Sequence, residues 1–166
     1  MSRLWSWLAG RPRPLRLLVF AAAVALVLVE ASLESTGGGG GFTRKYLLNL
    51  LHAPLYGFLG AAVLLLGGVG APRRAAMVML ALGLVLAAGF LDEWHQAGLP
   101  GRTSSLQDLG TDLLGACLAW LLAREAAAGP EGLGWGHLLG LGTALLLLWG
   151  LVPALTEALP LPFLRP

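Results

Sequence analysis

Residues 15–33 read LRLLVFAAAVALVLVEASL, a run of nineteen positions in which only Arg16 and Glu30 carry charge. A helix needs about 20 such residues, rising 1.5 Å each, to cross a hydrocarbon core. Four more apolar segments follow, at about 46–69, 75–96, 106–123 and 137–155. None alternates as a barrel strand would, so in lipid their backbone groups must be satisfied within helices. The whole chain has 166 residues, 57% hydrophobic and 12% charged, with a mean hydropathy of +0.75. A soluble domain carries about 25% charged residues. The sequence therefore predicts an all-α, polytopic membrane bundle of about five transmembrane helices, with the lipid bilayer as its first partner. A large soluble catalytic domain and a nucleotide-binding α/β fold are excluded. Cys117 is the single cysteine, which excludes an internal disulfide framework, and a net charge of +2 gives no nucleic-acid footprint.

The chain divides into a basic segment at 1–14, a transmembrane domain at 15–155 and a short tail at 156–166. Basic residues ahead of an apolar run resemble a signal peptide, but the run is longer than a usual h-region and lacks a clear small-x-small site, so the first helix is expected to be retained. Five consecutive glycines at 37–41 predict a flexible loop, and 126–136, with Pro130, predicts another. An N-terminus on the cytoplasmic side puts Arg3, Arg11, Arg13, Arg16, Arg73, Arg74 and Arg124 inside, and Arg44, Lys45, Arg102 and Arg165 outside. The excess of basic residues inside favours a cytoplasmic N-terminus and an external C-terminus.

Ionisable residues inside a membrane are functional candidates. Here they gather at the helix ends that this topology places outside. Glu30 is one turn from the exit of the first span, His52 six residues into the second, Asp92 one turn from the exit of the third and Asp112 six residues into the fourth. Lys45, Asn49, His52 and Tyr56 form one stripe; Gly89, Asp92, Glu93 and Gln96 share a face, as do Asp108, Asp112 and Gly115. Polar stripes at one depth predict a shared, outward-facing cavity, with His52 within reach of Asp92 or Asp112. Between the third and fourth spans, Pro100-Gly101 suits a type II turn that would hang Arg102 at the cavity mouth.

The pattern Asp92-Glu93-x-x-Gln96, then Pro100-Gly101-Arg102, Ser105, Asp108, Asp112 and Gly115, with His52-x-x-x-Tyr56 and Leu59-Gly60 before it, resembles the VanZ-like membrane proteins. The resemblance covers about 46–120. That family usually has an acid–Lys pair where this chain has Leu48 and Asn49, and often Asn in place of Asp112. The resemblance implies a small multi-spanning envelope protein of bacteria, some members being linked to low-level resistance to lipoglycopeptides such as teicoplanin. It implies no particular reaction.

Three classes of function fit these residues. As an intramembrane enzyme acting on a lipid or cell-wall precursor, the protein would use His52 as general acid or base and Asp92 or Asp112 to orient it. Arg102 would clamp an anionic group, with Tyr56, Glu93, Gln96 and Asp108 lining the substrate. A metal-dependent version would take His52, Asp92, Glu93 and Asp112 as ligands for zinc or a harder divalent ion, though no HExxH or CxxC spacing is present. Alternatively the cavity binds or moves a lipid, glycopeptide or other small molecule without chemistry. In the third class the polar groups only pack the bundle: His52 bonds across helices, Ser105-x-x-Asp108 is a capping box, and Arg102 pairs with Glu93 or Asp108. On that reading Glu93 and His95 are solvated near the interface, and Trp5, Trp7 and Trp94 belong to the aromatic belt. Cofactor and oligomeric state are not specified by the sequence.

Overall fold

The computed structural model describes residues 2–33, 42–68, 70–98, 104–128, 140 and 142–144. Among them there is no strand. The helices are α1 (Ser2–Ala9), α2 (Arg13–Leu33), α3 (Phe42–Leu66), α4 (Ala75–Ala97) and α5 (Leu106–Ala128), with a 3-10 turn at Ala71–Arg73. Three helical stretches, Arg13–Ser32, Ala75–Ala97 and Leu106–Ala128, are long and apolar enough to cross a membrane, and α3 adds the shorter apolar stretch Leu51–Leu66. The fifth expected span lies outside the described residues except at 140 and 142–144, which are helical; Gly142 lies against Leu118 of α5.

Local chemistry sets the helix ends. Pro14 occupies the first turn of α2, where its missing N–H breaks no intrahelical bond. Gly68 adopts φ +82 beyond the end of α3, a conformation that favours glycine, and opens the short connection to α4. Helix α3 begins four residues before the expected 46 and ends three before 69, while α5 runs five residues past 123. Residues 126–128 of the expected loop at 126–136 are the last of α5, and the remainder lies outside the described residues.

Helix α3 is the centre of the bundle. It packs most extensively on α5, then on α2, and α4 leans on both α3 and α5. The α3–α5 approach is close because small residues face each other. A Cβ on Gly57 would stand 2.9 Å from the carbonyl oxygen of Gly115, and a Cβ on Gly60 would stand 3.3 Å from the Cβ of Ala116. Small residues at such a crossing let two backbones approach and gain dispersion contacts that lipid cannot match.

The interior has three layers. At the end carrying Arg16 and Arg73, Trp5, Ala9, Val63, Leu64, Leu65, Ala81, Ala123 and Ala126 form one apolar cluster. Ala23, Val27, Tyr56, Leu59, Ala62, Val85 and Ala116 form the next. Beyond them lies a layer of buried polar side chains. Trp5 is thus a correction: α1 folds back on the bundle and buries it, whereas Trp7 is exposed. The outer surface is apolar, with Leu18, Leu28, Met79 and Leu91 exposed. Bilayer solvation accounts for such an inverted surface, which water would penalise.

Candidate functional site

The periodicity of α2, α3, α4 and α5 delivers polar residues to the far layer. On α2, Ala23 and Val27 are buried, and Glu30 follows three residues later on the same side. On α3, His52 and Tyr56 lie one turn apart above Leu59 and Val63. On α4, Val85, Gly89, Asp92 and Gln96 repeat at four, three and four residues, all buried. On α5, Asp112 precedes Gly115 and Ala116.

These faces meet at His52, which is only 3% exposed. Its Nδ1 lies 3.1 Å from Asp112 Oδ1 and its Nε2 lies 3.4 Å from Glu30 Oε1. One imidazole is therefore held between carboxylates of two other helices. If both nitrogens carry a proton, the ring is a cation between two anions; if it is neutral, one carboxyl must bear the proton instead. Either arrangement can pass a proton between Glu30 and Asp112. Glu30 is the more accessible end, 18% exposed against 2% for the Asp112 side chain. The Tyr56 ring stacks on His52, centroids 5.8 Å apart and planes 12° from parallel. The Tyr56 hydroxyl is buried, has no hydrogen-bond partner among the described residues, and lies within electrostatic range of Asp112, Asp92, Glu30 and Glu93.

Backbone geometry fixes Asp112 in place. A Cβ on Gly89 would overlap its Oδ2, so only glycine lets α4 approach there. The same face of α4 carries Asp92, whose Oδ2 accepts a hydrogen bond from Gln96 Nε2 at 3.0 Å. Of the sequence-predicted residues, His52, Asp112 and Tyr56 are in direct contact, and Asp92 and Gln96 lie beside them on α4. His52 sits ten residues after the start of α3, about 15 Å of helical rise, and near the start of its apolar stretch Leu51–Leu66.

Glu93 and Asp108 serve a different junction. Ser105 opens α5, and its Oγ accepts the N–H of Asp108 at 3.3 Å, which is the first half of the expected capping box. Asp108 does not close the box. The Ser105 N–H is taken by the Glu93 carboxylate across from α4. Glu93 is 1% exposed, so the expectation that it is solvated at the interface is wrong: its carboxylate is needed where α5 has unsatisfied N–H groups. Removing it with Glu93→Ala should cost about 0.5–2 kcal/mol, the usual worth of an N-cap, while Glu93→Gln should recover most of that because its amide oxygen still accepts. Thermal unfolding of the two variants in one detergent checks the ordering.

The Pro100-Gly101-Arg102 segment lies outside the described residues, as do the side chains of Lys45 and Asn49. Among the described residues, no group of three or more His, Cys, Asp or Glu is arranged to hold a metal ion. Glu30 is the residue that reading by motif left out of the site. Its signal was present in the 23, 27, 30 spacing, which continues the buried face of α2 into a carboxylate.

A family model described as VanZ/LLP1 matches residues 5–127. The match reaches well beyond the motif-bearing region at 46–120 and takes in Trp5, Glu30 and the whole of α2. No curated protein and no solved structure matches the chain.

Proposed function

This chain belongs to the VanZ/LLP1 family, and on that premise we propose that its Glu30–His52–Asp112 centre is a proton-transfer site serving a lipid-linked or cell-wall precursor in the bacterial envelope. The site faces outward, with the N-terminus cytoplasmic and the C-terminus external, and its action alters susceptibility to lipoglycopeptides such as teicoplanin. The observation that carries the reading is a buried imidazole with a carboxylate at each nitrogen. Such a group can accept a proton from a substrate at one side and release it at the other. Asp112 orients the ring, Tyr56 supplies a hydroxyl beside it, and Arg102 clamps the anionic part of the precursor. Asp92, Glu93, Gln96 and Asp108 shape the surroundings.

A second, structural reading is favoured by the burial of His52: the same contacts would tie α2, α3 and α5 together with no chemistry. His52→Gln separates the two, because the amide keeps one hydrogen bond but cannot relay a proton. The proton-transfer reading expects normal expression, a small loss in melting temperature and complete loss of the teicoplanin phenotype in cells. Retention of the phenotype would leave only the structural tie. Arg102→Ala should lose the phenotype with the melting temperature unchanged. Cysteines placed in 37–41 and at Gly98 should react with an impermeant reagent on intact cells; reaction only after permeabilisation would overturn the outward orientation.

A further inference from the structure

At the opposite end of the bundle, the 3-10 turn, the start of α4 and the last turns of α5 enclose an open cleft of about 570 Å³. Its walls divide by chemistry. Arg73 and Arg124 supply its cations, Trp120 and Pro72 a flat apolar part, and Val78 and Met79 of α4 an aliphatic part. We propose that this cleft binds the headgroup of an anionic phospholipid, its phosphate held by Arg73 and Arg124 and its first acyl carbons laid along Val78 and Met79. This site is independent of the His52 centre.

The cleft is built in advance of any ligand. Trp120 Nε1 donates to the carbonyl of Pro72 at 2.9 Å, which fixes the indole as a wall. Arg73 Nη2 donates to the carbonyl of Ala127 at 2.8 Å. That bond anchors the guanidinium and uses one of its five donors. The Arg124 guanidinium carbon lies 6.0 Å from the Trp120 ring centroid, at the outer limit of a cation–π contact. Neither arginine has a carboxylate partner among the described residues, so their charge is available to an anion.

Position selects a lipid over a free ion. Arg73 immediately precedes the extended Arg74 and the start of α4 at Ala75, and Arg124 lies in the last turns of α5. Both cations therefore lie at the level where a spanning helix leaves the hydrocarbon, which is the level of lipid phosphates. Met79 is 67% exposed on the side that acyl chains solvate. Basic pockets between membrane helices at this height are suited to anionic headgroups.

The test is lipid retention by the full-length protein, purified in detergent and measured by native mass spectrometry with phosphatidylglycerol or phosphatidylcholine added. Wild type should retain phosphatidylglycerol over phosphatidylcholine by about five-fold per arginine engaged, the factor that one basic residue near an anionic surface provides. Arg124→Gln should lose one such factor, and Arg73→Gln combined with it should abolish the preference. Arg74→Gln, outside the cleft lining, should leave it intact. An unchanged preference in the double variant would overturn the proposal, as would an equal loss in Arg74→Gln. Displacement of the lipid by millimolar inorganic phosphate would show a plain anion site and overturn the lipid assignment. Because Arg73 also holds Ala127, a melting curve of each variant accompanies the measurement; Arg124→Gln touches no backbone group and keeps the test decisive if Arg73→Gln unfolds.

Discussion

Gly115→Val should destabilise the bundle more than any other single substitution considered for this protein. A Cβ at Gly115 would fall inside the van der Waals radii of the Ala53 carbonyl group and Cα. Those atoms are backbone, so no rotamer change can relieve the overlap, and α3 and α5 must separate. Overpacking usually costs about 1–3 kcal/mol and occasionally more; the upper end is expected because the whole seam, including Gly57 and Gly60, opens together. Separation would also draw Asp112, one turn earlier on α5, away from His52. Gly83→Ala is the control: nothing lies within 4 Å of the added carbon, so it should be neutral or gain up to about 1 kcal/mol from helix propensity. Unfolding of both variants in the same detergent should show a large loss for one and none for the other. Equal melting temperatures would mean that the α3–α5 crossing is not as close as its glycines imply.

Asp112→Ala is the second large effect. It removes one of the two carboxylates that hold His52 and leaves the Nδ1 side of a buried ring without its acceptor, at about 1–3 kcal/mol. Asp112→Asn keeps the size and an acceptor oxygen, so it should cost less than half as much. A hydrogen bond between membrane helices averages only about 0.6 kcal/mol, because the separated helices find other partners. A double-mutant cycle of Asp112→Ala with His52→Ala therefore discriminates: a coupling above about 1 kcal/mol marks a charged, geometrically held pair, and a coupling near the membrane average marks an ordinary interhelical bond. Gly89→Ala offers an independent check. Its methyl would displace the Asp112 carboxylate and should reproduce part of the Asp112→Ala loss without altering any polar group.

The two ends of the bundle illustrate one physical asymmetry. At the polar end, His52 satisfies its nitrogens with side chains from other helices, and the result is a site. At the basic end, Arg16 Nη1 donates to the carbonyls of Leu65 and Leu66 at 3.0 and 3.1 Å, and Arg73 donates to Ala127. Arginines there cap the C-terminal carbonyls of α3 and α5, which have no intrahelical donors and lie at the negative ends of their helix dipoles. The same residues that orient a membrane protein by charge also finish its helices.

Hydropathy and period alone determined that the described chain is helical, where its long helices run to within a few residues, and which face of each is polar. Those are properties of single helices: burial in lipid demands internal hydrogen bonding, and 3.6-residue spacing sorts side chains onto faces. The serine that begins α5 was legible for the same reason, since a cap is local. That the polar faces carrying His52 and Asp112 meet was legible from their common depth; which further residues join them was not. Glu30 joins His52, Glu93 rather than Asp108 takes the Ser105 N–H, and Trp5 is buried beneath a folded-back α1, because the rotation and crossing of helices are set by the small residues between them. Gly57, Gly60 and Gly115 look alike in a chain with 24 glycines. Only the tertiary structure shows that the three line one crossing, and it is the closeness of that crossing which brings the α5 carboxylate to the α3 imidazole.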